Sequence, residues 1–435
     1  MRIPDDHARR LELAQEAHAR VPDALATPMR VSYLALLTGD ASRGADEWRH
    51  FCELLAHYGV APPAAPSNHC RADLGGYSVR FERHTEFYRY TFQLPGAGSD
   101  PFAETALARV PAEWLARMTG ETLVAVHAAL VPARADVDPE ALAAELFDDN
   151  ALVGAEIGER AGRAFTDFRL RADGFVRVLV ENRDMTARQA GRMMQRVLEI
   201  ETYRMMALLA LPVARTLTPF LGRAEEEMTR VTTELAAARA TDEPALLERL
   251  TRLEAEIGSE EARSDYRFTA AAAYYELVQR RIRELRETRI RGVQTFLEFI
   301  ERRLAPAMGT CRTVAARQAS LSARIARVNQ LLATRVDISR EAQNQQLLES
   351  MDRRSQAQLR LQQTVEGLSI AAITYYIVGL IGYAAKGLHA AGVELNPEIV
   401  MAIGIPLAAL FVARSVRHVR TAVVRSAGET GSRRD

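Results

Sequence analysis

The sequence predicts an α+β membrane protein, and three observations carry that reading. Short β-rich runs crowd residues 1–185, strand signals vanish from 186 to 364 in favour of helical spacing, and two long uncharged runs follow near the end. The expected organisation is a mixed-sheet α/β domain over 1–185 and a helical bundle with a coiled-coil hairpin and stalk helix over 186–364. Two transmembrane helices over 365–420 and a tail over 421–435 complete it.

Taken in order, "MRVSYLALLT" (29–38) is a β-rich run. "GADEWRHFCELLAHYG" (44–59) then sets Trp48, Phe51, Cys52, Leu55 and Tyr58 on one helical face. "PPAAP" (62–66) breaks the chain, and "YSVRFERHTEFYRYTFQL" (77–94) alternates aromatic and β-branched residues as a hairpin does. "AETALARVPAEWLARM" returns to helical spacing and "TLVAVHAALV" (122–131) is a buried strand. "ALVGAEIG", "RAFTDFRLR" and "GFVRVLVEN" add strands, the last two joined through Ala172-Asp173-Gly174. The sum is a sheet of about six strands with two or three helices.

Between 186 and 364, Thr186 is placed to cap a helix carrying Met193, Val197, Ile200 and the 208–211 apolar run. Arg204 and Arg215 bracket only ten uncharged residues there, so a packed helix interrupted at Pro212 is expected, not a span. A turn at Thr241-Asp242-Glu243-Pro244 precedes Leu246, Leu250, Leu253 and Ile257 at 4-3-4 spacing; Leu321, Ile325, Val328 and Leu332 repeat it. The helix through "YYELVQRRIRELRETRIRGVQTFLEFIERRLAPAM" is expected to end near Pro306 and Gly309. Another is expected to run from about Ser339 into the first apolar segment.

That segment, 367–385, has 19 uncharged residues, ~28 Å of helix, which matches a bilayer's hydrocarbon core. The second starts on Asn396 and Pro397 and holds 15 uncharged residues from 399 to 413. Spans are therefore expected at about 367–386 and 397–415. Arg353, Arg354 and Arg360 precede the pair and Arg414, Arg417, Arg420 and Arg425 follow it, so the positive-inside rule puts both ends in the cytoplasm.

The composition narrows function by exclusion. Basic and acidic side chains balance at 56 each, which leaves no general attraction to phosphate backbones, so no nucleic-acid partner is expected. Lys386 is the lone lysine, and arginines spread over every segment match a composition bias. Three scattered cysteines suit a reducing compartment, and the polar N-terminus carries no secretory signal. No catalytic motif appears, so neither an enzyme nor a cofactor is expected.

Asp46, His50, Glu53 and His57 fall at i, i+4, i+7 and i+11 and form a stripe able to bind a divalent metal; a solvated helix flank has the same pattern. His84 and Glu86 near Arg83 and Arg89, and His18 with Arg20, are acid/base pairs only if the fold makes them converge. Gly379 and Gly382 could line a pore or let neighbouring helices approach closely.

Four phrases carry a family resemblance: "EAHARVPDAL", "FERHTEFYRYTF", "RMMQRVLEIETYRMMALLALPVAR" and "EAQNQQLLESMDRRSQAQLRLQQTVEGLSIAAITYYIVGLIGY". With them the chain resembles the bacterial family of uncharacterised membrane-anchored proteins known as domain of unknown function thirty-four twenty-two. The resemblance implies a membrane anchor and carries neither an assigned reaction nor catalytic residues; the apolar runs and their flanking arginines place the expected anchor in the inner membrane. The architecture is also similar to that of CorA-type magnesium channels, pentamers lined by the first span. Those carry Gly-Met-Asn at the outer end of that span, where this chain has "GYAAKGL", and a ring of Lys386 would repel cations. The expected function is a non-enzymatic, homo-oligomeric scaffold or sensor whose partner is the lipid bilayer. A divergent CorA-like ion channel is the alternative.

Overall fold

A computed structural model describes residues 7–10, 21–38, 44–63, 65–136, 138–239, 241–391 and 396–431, and the side chains of these except at 44, 397, 417 and 419–431. His18 and Arg20 lie outside the described residues. Residues up to Gln330 cluster in one compact unit and those from Leu331 onward in a second.

The first unit is built on an eight-stranded sheet of β1 (Met29–Leu37), β2 (His69–Asp73), β3 (Ser78–Arg83), β4 (Phe87–Pro95), β5 (Glu121–Pro132), β6 (Val153–Ile157), β7 (Gly162–Thr166) and β8 (Val176–Asn182). Their order is β2-β3-β4-β1-β5-β8-β7-β6. Among the eight strands, β5 and β8 alone pair in parallel, which requires a long crossover; here it contains α3 (Pro139–Leu146) and the β6–β7 hairpin. The sequence reading, summed as about six strands, names a run for each strand of this sheet except β2. β2, "HCRAD", alternates weakly because it is an edge strand with one side in water. The run expected over 163–171 ends at Thr166, because Asp167 turns the chain by accepting from Arg169 N at 3.2 Å and Phe168 adopts φ 52°.

Side-chain alternation sorts the sheet's two faces. Leu34, Leu36, Phe81, Tyr90 and Phe92 pack beneath α1 (Gly44–His57) and the short α2 (Ala112–Ala116), against Phe51, Leu54 and Trp114. On the opposite side of β1, Tyr33 Oη lies 2.8 Å from Thr202 Oγ1 on α4 (Ala187–Leu208). Thr186 and Gln189 form the expected cap, each side chain bonded to the other's backbone N–H. Gly191 on α4 is needed for a close approach: a Cβ there would overlap the carbonyl oxygen of Asp23 in the segment laid across the helix.

The helical break comes at Leu209, before α5 (Ala210–Ala237), and not at Pro212 itself. Pro212 has no N–H for the Leu208 carbonyl, so the disruption falls one turn upstream of the ring. α5 turns into α6 (Glu243–Leu285), whose Leu246, Leu250, Leu253 and Ile257 are buried. Arg249 crosses to Glu227 at 2.7 Å and Glu234 at 2.5 Å.

α6 ends earlier than its periodicity implies. Arg286 takes a left-handed conformation (φ 50°), and the chain from Thr288 to Gln294 docks on the open edge of β6 through Thr288 N to Glu156 O and Gly154 N to Gln294 O, both 2.8 Å. Unpaired edge groups thus outweigh helical propensity. Thr295 and Glu298 then cap α7 (Phe296–Arg303). Pro306 and Gly309 sit within the first turns of α8 (Ala305–Ala390), where Pro306 has no intrahelical donor to lose. α8 continues through the first apolar run, and α9 (Pro397–Gly431) contains the second.

Three helical stretches are long and apolar enough to cross a membrane: 187–237, 296–390 and 398–416. One third of the apolar window in the first is buried within the protein, against 11% in each of the others. Met206, Ala210, Ala214, Leu217 and Leu221 account for that packing.

Candidate functional site

The second unit exposes apolar side chains that a water-facing helix would not. Leu368, Ile373, Tyr376, Leu380 and Tyr383 on α8 stand exposed, as do Ile399, Ile403, Leu407, Leu410 and Phe411 on α9. Full removal of one such side chain from water is worth roughly 1.5–3 kcal/mol, and a continuous surface of this kind marks an interaction site. The two helices touch through small residues. A Cβ on Gly382 would come 2.7 Å from Met401 Sδ, and one on Gly404 3.8 Å from Ile381, whereas nothing lies within 4 Å of such a position on Gly379. Ala385, Ala408 and Val412 are buried, and Lys386 is exposed. Asn396 Oδ1 accepts from Glu398 N at 3.1 Å and caps α9 as its position predicts.

Tertiary contacts divide the acidic and histidine stripe of α1, although His50 Nδ1 stays 3.8 Å from Glu53 Oε2. Asp46 pairs with Arg49 at 3.0 Å and Glu53 with Arg117 at 3.2 Å. His50 is buried with its ring stacked on Trp114, centroids 4.4 Å apart, while His57 is exposed and meets Tyr58 edge-on. Burial pushes His50 below its ordinary pKa. Among the described residues, no three His, Cys, Asp or Glu side chains are grouped as a metal site. At the β3–β4 bend, His84 stacks on Phe87, Glu86 pairs with Arg267 of α6 at 2.7 Å, and Arg83 reaches Glu47 at 3.2 Å. Arg89 points inward instead.

Two polar constellations had no signal in residue spacing. In the first, Arg89 donates through Nε to Glu82 at 2.6 Å and through Nη1 to Glu199 of α4 at 3.4 Å. Glu199 also meets Arg281 of α6 at 2.5 Å, and Arg80 donates to Glu82 at 3.1 Å. Burial would raise the Glu82 carboxyl, but Arg89 and Arg80 overcome it and hold it at about 2.

In the second, Ser32 Oγ lies 3.0 Å from His127 Nδ1 across the β1–β5 pair, and the imidazole stacks on Phe175 at 3.9 Å. Ser32 is fully buried and accepts from Leu107 N at 3.1 Å, which suits a structural bond and leaves no approach for a substrate. Burial lowers His127 to about 4, Arg177 acting in the same direction and Asp173 against it. Between about pH 6.5 and 4 the unfolded chain therefore binds a proton that the folded chain does not. The stability linked to His127 is complete above pH 6.5 and is lost as pH falls toward 4, by roughly 3 kcal/mol. Unfolding free energies at pH 7 and pH 4 should show wild type losing about that much more than His127→Asn; equal losses would remove the assignment.

Fold and apolar surface together define a mixed α+β protein with long helices, three stretches of which have the length and composition of membrane spans. The chain belongs to the family described as "Protein of unknown function (DUF3422)", which matches residues 5–423 and is the family its sequence phrases resemble. No curated protein and no solved structure matches the chain.

Proposed function

We propose that the chain is an integral inner-membrane protein whose second unit crosses the bilayer twice, at about 367–386 and 397–415. In this reading it holds the sheet-bearing unit at the cytoplasmic face as a non-enzymatic, oligomeric scaffold or sensor. The observation that carries it is the exposed apolar surface of α8 and α9, bracketed by exposed arginines at 353, 354, 360 and 414. Lipid tails satisfy those side chains and water does not.

In a cysteine-free background, Lys386→Cys should react with a membrane-impermeant maleimide in intact cells, and Arg354→Cys only after permeabilisation. Inverted labelling, or label at both positions without permeabilisation, would overturn the topology. A second reading, an ion channel lined by the first spans, draws on the continuity of α8 through the apolar run. It requires an oligomer, so a monomer in both detergent and lipid would exclude it together with the oligomeric scaffold.

A further inference from the structure

A cleft of about 270 Å³ opens in the first unit, walled by α4, the β6–β7 turn and the C-terminal end of α6. Its wall is cationic on balance: Arg192, Arg196 and Arg286 face Glu159 and Glu284. Two of the three arginines are held in place. Arg196 donates to the Glu284 carbonyl at 2.9 Å and to its carboxylate at 3.2 Å, and Arg286 pairs with Glu159. Glu284 is shared further with Arg281 at 2.9 Å, so it does not neutralise Arg196 alone.

The carbonyls at the end of α6 are also engaged. Arg283 O accepts from Arg286 N, Glu284 O from Arg196, and Leu285 O from Gly158 N at 2.8 Å. The helix end therefore presents few free acceptors, and the wall is dominated by donors. Arg192, half-buried on α4, makes no hydrogen bond or ion pair to any described residue.

We propose that this cleft binds a phosphate monoester, with Arg192 as its principal contact and Arg196 and Arg286 as flanking donors. A guanidinium presents paired N–H groups that match two phosphate oxygens. A monocarboxylate brings one negative charge and would compete with Glu159 and Glu284 on equal terms. A phosphate monoester brings nearly two at neutral pH and draws the arginines toward itself. The volume holds the phosphate and a small organic remainder. The inference stands on α4, α6 and the β6–β7 turn alone and does not depend on the membrane reading.

The same chemistry is offered by a soluble ester and by an anionic lipid headgroup. Glycerol 3-phosphate titrated calorimetrically into the purified full chain in neutral detergent should bind, at least tenfold more weakly in Arg192→Ala and Arg192→Gln. Hydrogen exchange over residues 185–196 should slow in wild type alone. In a parallel arm, phosphatidylcholine vesicles with and without phosphatidic acid replace the soluble ester. Protection that appears only with phosphatidic acid, and that Arg192→Ala abolishes, assigns the headgroup as ligand. Binding or protection in neither arm, or binding that Arg192→Ala and Arg192→Gln leave unchanged, would overturn the proposal. Because Arg192 bonds to no described residue, far-UV circular dichroism should show both variants folded.

Discussion

Leu380→Arg is expected to lower the membrane-integrated fraction of the protein by shifting insertion of the first span by about 3 kcal/mol, roughly a hundredfold in equilibrium. Leu380 is 69% exposed within the apolar stretch of α8 and faces away from the Gly382–Met401 contact that joins the two helices. If α8 spans the bilayer as proposed, an arginine there must drag its charge through hydrocarbon or thin the bilayer around it. Combining it with Ile403→Arg, 57% exposed on α9, should release most of the protein on alkaline carbonate extraction. Leu361→Arg provides the control. That side chain is 67% exposed on the same helix but outside the expected span, so it should leave integration intact. Equal extraction of the Leu361 and Leu380 variants would sink the membrane reading of this surface.

Arg89→Met is expected to destabilise the sheet-bearing unit by about 3–5 kcal/mol. Glu82 and Glu199 are 2% and 3% exposed, and Arg89 is the cation they share. Methionine fills much of the same volume but leaves two carboxylates without the cation they share in a poorly solvated interior. Arg281 still serves Glu199 and Arg80 still serves Glu82, which limits the loss to this range. The double variant Arg89→Met with Glu82→Leu removes one stranded charge and should recover a substantial part of the stability. Hydrogen-exchange protection of the β3, β4 and β1 amides reports the change. A loss below about 1 kcal/mol in the single variant would show that the network contributes little.

Much of the fold is written in contiguous residues. The β-rich run at 29–37, the strand alternation at 87–95, the Thr186 cap and the two uncharged runs depend on neighbours a few positions apart, so their pattern survives without tertiary knowledge. The failures have a common cause. β2 is too short and polar to declare itself, and the helical periodicity around 286–294 is overridden by the open edge of β6, more than 130 residues earlier. The α1 stripe shows the same limit from the other side. Its spacing placed four ligand-type side chains in line, but Trp114, Arg117, Arg49 and Tyr58 each engage one of them, and of the four His50 and Glu53 stay together at 3.8 Å.

The candidate site divides along the same boundary. Hydropathy, helix caps and the arginines flanking each run are local quantities, and by themselves they determined the helical character of the second half and the position of its apolar stretches, while four contiguous phrases carried the family resemblance. Only tertiary structure decided that Arg89 meets Glu82, Glu199 and, through Glu199, Arg281; that Ser32 faces His127; and that Arg192 opens onto a cleft closed by residues 158, 284 and 286. Charges and hydroxyls so far apart in the chain acquire a role only when burial removes their water and leaves them one another as partners.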